Sequence, residues 1–152
     1  MAIELSWGPT YTSATDDHGV GNLKYDSSGN VYRWVKVTTA DLAKGDVVYP
    51  GSVSTWEVHE DYSAAITKMV CGVAVTAVDI SDKAYAFVQV GGICDDVLGD
   101  GSVAAGNPVI GHSTDGAAQL MAAGEEHLVF GFALEDDSGS PTTFGCQLRG
   151  IL

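Results

Sequence analysis

The chain is short of positive charge. Seven Lys and Arg stand against 20 Asp and Glu, a net charge of −13 over 152 residues. Nucleic-acid phosphates and anionic membrane surfaces are gripped by clustered Lys and Arg, so both partners are disfavoured. An acidic surface keeps a protein soluble, and it is compatible with a basic patch on a partner. Proline is scarce, at 4 residues, and cysteine is limited to Cys71, Cys94 and Cys146. An odd number of cysteines without a C-x-x-C spacing gives no support to zinc or redox-motif chemistry. Thiols set in apolar runs, such as Met69–Val75 and Phe144–Leu148, read as buried small hydrophobes. No apolar run reaches the length of a membrane-spanning helix. The stretch Met1–Asp17 lacks the basic start and apolar centre of a signal peptide. These absences lead to the expectation of a soluble protein made in a cytoplasm.

Catalytic patterns are missing as well. The histidines, His18, His59, His112 and His127, have no H-x-H or H-x-x-x-H spacing. A metal site drawn from His59, Asp61 and His127 has composition alone behind it, and turn or surface histidines are the stronger reading. Asp95, Asp96 and Asp100 do not alternate as the ligands of a calcium loop do. There is no G-x-S-x-G elbow, and Gly19-Val20-Gly21 opens no helical pattern that would cradle a phosphate. Nothing places two carboxylates across a cleft. The expectation is a binding or structural protein, not an enzyme, with no cofactor and no metal.

What is present is glycine, 19 residues spread along the chain, and a 45% hydrophobic content. That is enough apolar material for one domain with a real core. Short runs rich in Val, Tyr, Phe and Trp follow one another: Val31–Val37, Val47–Tyr49, Val70–Val78, Ala84–Val90, Pro108–Ile110, Leu128–Leu134 and Phe144–Leu152. These predict strands. Clusters of Gly, Asp, Asn and Ser separate them, at Asp26–Asn30, Gly91–Gly92, Gly99–Ser102 and Asp136–Ser140, and predict turns. A helix finds a place only near Asp61–Lys68, with Asp61 as its cap, and a short strand competes with it there.

The chain repeats itself. Leu42-Ala43-Lys44-Gly45-Asp46-Val47-Val48 matches Val103-Ala104-Ala105-Gly106-Asn107-Pro108-Val109 at an offset of 61. Gly72-Val73-Ala74-Val75 matches Gly131-Phe132-Ala133-Leu134 at 59, and Val88-Gln89-Val90 matches Cys146-Gln147-Leu148 at 58. Three blocks in the same order at a slowly drifting offset are what duplication with small loop changes produces. The fold expected is all-β: a compact barrel or β-clip-like domain built from a duplicated β-unit, residues 31–152, with halves of about 31–92 and 93–152. Residues 1–30 read as an extended N-terminal arm. Two such units, each with too few strands to bury its own face, would pack about an approximate two-fold and share one core. Gly72 and Gly131 are placed where a strand bends or another backbone comes close. Gln89 and Gln147 would face away from the core or satisfy backbone. Trp34 reads as core. Trp7, Tyr11 and Trp56 are left as aromatics free to anchor a partner.

The stretches Gly29–Lys36 (GNVYRWVK), Leu42–Val48 (LAKGDVV), Gly72–Val75, Tyr85–Gly92 (YAFVQVGG) and Gly101–Gly106 (GSVAAG) resemble a pattern of small virion proteins of tailed bacteriophages, over about Gly29 to Gly116. The resemblance is to capsid decoration, or cement, proteins. It implies a β-clip-like homotrimer on the outer surface of a capsid, assembled in the host cytoplasm. Its partner is the major capsid protein, and it carries no catalytic residues. An arm, here Met1–Asp17, would add to capsid strands. A tail- or fibre-associated β-module is the alternative of the same kind. A carbohydrate-binding module, with Trp56 or Trp7 as a stacking platform, is the alternative of another.

Overall fold

The computed structural model describes residues 7–52, 54–137 and 142–150. Among them eleven strands join into one hydrogen-bonded sheet. They are β1 (Thr12–Ser13), β2 (Leu23–Tyr25), β3 (Val31–Val37), β4 (Val47–Ser52), β5 (Glu57–His59), β6 (Gly72–Ala74), β7 (Tyr85–Gly99), β8 (Pro108–Gly111), β9 (Ala118–Leu120), β10 (Gly131–Ala133) and β11 (Thr142–Arg149). A 3-10 turn at Glu126–Leu128 is the one helical piece among the described residues. The fold is all-β, as the runs of β-branched and aromatic residues predict.

Strand β7 organises the molecule. Gly91–Gly92, expected as a turn, lies inside this 15-residue strand. Gly92 takes a φ of +86°, and the ladder to β3 slips between Val31 and Tyr32. The result is a bulge, which bends a strand without ending it. Gln89 supplies what the ladder misses there: its Nε2 donates to the carbonyls of Gly91, at 3.1 Å, and Ile93, at 2.9 Å. Before the bend β7 pairs with β3, and after it with β11.

That change of partner closes two rings. In the first, β3 pairs with β5, β5 with β4, β4 with β6, β6 with β7, and β7 with β3. In the second, β7 pairs with β9, β9 with β8, β8 with β10, β10 with β11, and β11 with β7. The repeat carries over in register. Val48↔Gly72 and Val73↔Gln89 in the first barrel become Val109↔Gly131 and Phe132↔Gln147 in the second. Loop bonds follow suit: Gly45 N donates to Ala74 O, and Gly106 N donates to Ala133 O, both at 2.8 Å. The interiors correspond too. Val35, Val48, Val58, Ala74, Ala86 and Val88 fill the first barrel, and Val97, Val109, Ala118, Ala133, Phe144 and Cys146 the second.

Two expectations need correction. The units do not share one core. Each gains a short strand that the sequence does not announce, β5 or β9, and that strand closes a ring around its own apolar interior. The contact between units is also one-sided. Val47, Tyr49 and Val73, which point out of the first barrel, belong to the same cluster as the interior of the second. The second correction is at Asp61–Lys68, which forms turns and bends, neither helix nor strand. Asp61 does cap, its Oδ1 accepting from Ser63 N and Ala64 N. The helix does not propagate, because Ile66 N bonds to Pro50 O across the fold instead of a local carbonyl.

The described part of the expected arm lies along the body. β1 pairs with β7 and β2 with β3, so residues 12–25 extend the sheet beyond the first ring. Met1–Ser6 lie outside the described residues.

Candidate functional site

The aromatic residues singled out from the sequence fall at two places. Trp7 and Tyr11 cover the outer face of β3 and β7. Trp34, fully buried there, donates from Nε1 to Asp16 Oδ1 at 2.9 Å. Tyr11 stacks on Trp34 with ring centroids 5.9 Å apart, and Trp7 leans on Phe87 at 5.5 Å. His18 meets Trp34 edge-on at 4.9 Å. Burial among these rings lowers the His18 pKa, and Lys24 adds to the effect. Tyr11 also donates to Asp17 at 2.8 Å. The hydroxyls of Ser13, Thr15 and Tyr11 hold the Asp17 carboxyl down at about 2. Trp7 and Tyr11 thus anchor residues 7–20 to this chain's own sheet.

Trp56 sits elsewhere, at the end of the first barrel, with a left-handed φ of +51° that a bulky residue rarely adopts. The Arg33 guanidinium lies 4.2 Å over its ring, a cation–π contact. Arg33 is itself buried, and its Nε has no hydrogen-bond partner. Burial lowers its pKa, with Cys71 opposing. Below the indole opens an apolar hollow of about 200 Å³, lined by Arg33, Pro50, Trp56, Val58, Met69 and Cys71. The Cys71 thiol is pushed up to about 12 by burial, which leaves it protonated and unreactive.

A third feature joins the barrels. Asp46, buried before β4, accepts from Ala43 N at 2.6 Å and shares a hydrogen bond with Glu60. Burial raises the pKa of both. Glu60 reaches about 7, with the Asp46 carboxylate as the next cause. The backbone alongside is cross-tied: Val47 N donates to Gly116 O at 2.9 Å, and Gly116 N to Glu60 O at 3.3 Å. Two carboxyl groups this close hold a proton between them near neutrality.

The residues weighed as metal ligands go separate ways. His59 is buried in β5, Asp61 is engaged in its turn, and His127 lies in the 3-10 turn. Among the described residues no group of three or more His, Cys, Asp or Glu is placed to hold a metal ion. No helix among them is long and apolar enough to cross a membrane. Arg33, Asp46 and Glu60 were not singled out by the sequence. A signal exists for Arg33, a cation in the otherwise apolar run VYRWVKV. None exists for the carboxyl pair, whose members are 14 positions apart on different elements.

No protein-family model matches the sequence, and no curated protein does. In fold the chain is similar to the N base of the head fiber gp8.5 of bacteriophage phi29. The TM-score is 0.56 at 16% identity, over 81% of this chain and 98% of that one. At that identity the likeness is one of backbone path alone.

Proposed function

We propose that this chain is a structural protein of a bacteriophage virion, which binds the outer surface of the capsid and reinforces it. One observation carries the reading: the likeness in fold to the base of a phage head fiber, over nearly all of that base. The sequence resemblance to cement proteins points the same way. The partner is the major capsid protein, and no catalytic step, cofactor, nucleic acid or membrane is involved. The chain acts as a homotrimer over junctions between capsid subunits, so that modest single contacts add up to tight attachment. Each contact needs no more than an ordinary interface of about 1,600 Å². The charge of −13 keeps the free protein soluble until basic capsid patches recruit it. Among the described residues β2 pairs on one side alone, with β3, and offers an edge for strand addition.

A second reading is favoured by the same neighbour, which is itself a fiber base: the chain would seat a fibre on the head. A carbohydrate-binding role has less support, because Arg33 occupies one face of the Trp56 ring that a sugar would need.

The test is co-sedimentation of the full chain with mature capsids lacking it, and separately with tails. Saturable binding to capsids and none to tails is the expected result. Binding to neither overturns the proposal. Capsid binding that appears only with a fibril protein present transfers it to the fibre reading.

A further inference from the structure

The contact that joins the barrels uses one surface of each, and the duplication supplies both surfaces a second time. On the outside of the first barrel four residues form a row in register across adjacent strands: Val47, Val73, Gln89 and Tyr32. All four are buried. Val47 and Val73 pack with the interior of the second barrel. Register places Pro108, Phe132, Gln147 and Ile93 in the same row on the second barrel. There Phe132 is 43% exposed and Ile93 50%, and Leu134, next on that side of the chain, is 51% exposed. Large apolar side chains in one contiguous patch mark an interaction surface.

The receiving surface is duplicated too. In the second barrel the cluster that takes Val47 and Val73 includes Cys94, Ala118 and Phe130. Their counterparts in the first barrel are Arg33, Val58 and Cys71. Arg33↔Val88 matches Cys94↔Cys146, and Pro50↔Val58 matches Gly111↔Ala118. Cys71 N donates to Val48 O as Phe130 N does to Val109 O. These three residues line the open hollow under Trp56. Among the described residues of one chain, then, one row fills one hollow, and the other row and the other hollow stay open.

We propose that the open row and the open hollow fit each other in separate copies. The Phe132 face of one copy docks into the Trp56 hollow of the next, repeating between chains the contact that joins the barrels within one. Charge agrees with this pairing. The buried Arg33 has an unpartnered Nε at the hollow, and Asp95 stands exposed two residues from Ile93 on the incoming face. Such a contact is heterologous, so it closes into a ring or runs on as a filament. It gives the oligomer of the proposed function its contact surface, and it requires no capsid.

The test is sedimentation velocity over a concentration series of the full chain, Phe132→Asp, Met69→Glu, and the two variants mixed. Met69 lines the hollow and is 47% exposed, so both changes fall on accessible positions. The wild-type chain is expected to form oligomers. Each variant alone should self-associate at least about 30-fold more weakly, as for loss of an interface anchor. The mixture should pair one to one and stop there, since one intact face and one intact hollow remain. Leu134→Asp repeats the first arm if circular dichroism shows that Phe132→Asp disturbs the barrel. A wild-type chain that stays monomeric overturns the proposal, and so does a mixture that fails to pair. Oligomers indifferent to both changes overturn this contact and leave the capsid reading standing. Oligomers that obey it yet ignore capsids do the reverse.

Discussion

Gly72 and Gly131 occupy the same position in the two barrels, and adding a methyl group at each tests whether the repeat is a repeat of packing. A Cβ on Gly131 would stand 2.6 Å from Cys146 Sγ and 2.7 Å from the Gln147 carbonyl oxygen. A Cβ on Gly72 would meet the Val88 side chain, at 2.7 and 3.0 Å, with the Gln89 carbonyl farther off at 3.3 Å. Both alanines overpack a filled interior, which costs about 1–3 kcal/mol. Both recover about 0.4–1 kcal/mol by restricting the unfolded chain. The difference lies in what must move. At Gly131 it is the backbone of β11, held on both sides by β10 and β7, so the net loss should be about 2 kcal/mol. At Gly72 it is mostly one valine, and the net loss should be about 1 kcal/mol. Denaturant unfolding measures both, and at this chain length each kcal/mol moves the melting temperature by roughly 2–4 °C. A second layer separates side chain from backbone. Val88→Ala should offset much of the Gly72→Ala loss in a double-mutant cycle, whereas Cys146→Ala should offset little of the Gly131→Ala loss. A Gly131→Ala variant as stable as Gly72→Ala, or a cycle with the couplings reversed, would refute the claim that backbone resists the methyl group at Gly131 and one side chain resists it at Gly72.

Two further outcomes follow from the buried polar groups. The pKa of Glu60, raised from 4.5 to about 7, means that the folded chain holds this proton more tightly than the unfolded one. Its stabilising contribution is complete below about 4.5 and is lost as pH rises through about 7. Glu60→Gln should therefore flatten the stability profile between pH 5 and 8 (a window of roughly the shifted range) and raise the melting temperature at its alkaline end. A profile parallel to wild type would show that the shared proton is absent. His18 works in the opposite direction, so the difference between variant and wild type is the quantity to read. At the aromatic cover, Asp16→Ala leaves the indole N–H of the fully buried Trp34 without its acceptor. That should cost about 2 kcal/mol, in the range for a hydrogen bond to a charged group. Asp16→Asn, which keeps an acceptor in place, should cost less than half as much. Thermal unfolding followed by tryptophan fluorescence distinguishes the two.

The pattern of residues announces strands where a strand is long and its side chains alternate cleanly, as in Val31–Val37, which β3 matches end to end. β5 and β9 escape notice for a physical reason. At three residues each, Glu57–His59 and Ala118–Leu120 carry too few side chains to show a period, and pairing with longer neighbours defines them. The same two strands close the rings, which is why the repeat could be read while the number of cores could not. Gly91–Gly92 misleads in the opposite sense. Two glycines after an apolar run ordinarily stop a strand, but here Gln89 satisfies the carbonyls at the bulge and the ladder resumes with β11. For the surfaces, the limit of the sequence is sharper still. Trp7 and Trp56 are equally conspicuous as letters, yet one covers the chain's own sheet and the other roofs an open hollow. Phe132 looks like any strand residue. It stands out once register sets it beside Val73, because the same position is buried in one barrel and bare in the other. The duplication that is legible in the sequence thus becomes informative about binding through its broken symmetry: equivalent positions with unequal burial show which surfaces the chain has left for another molecule.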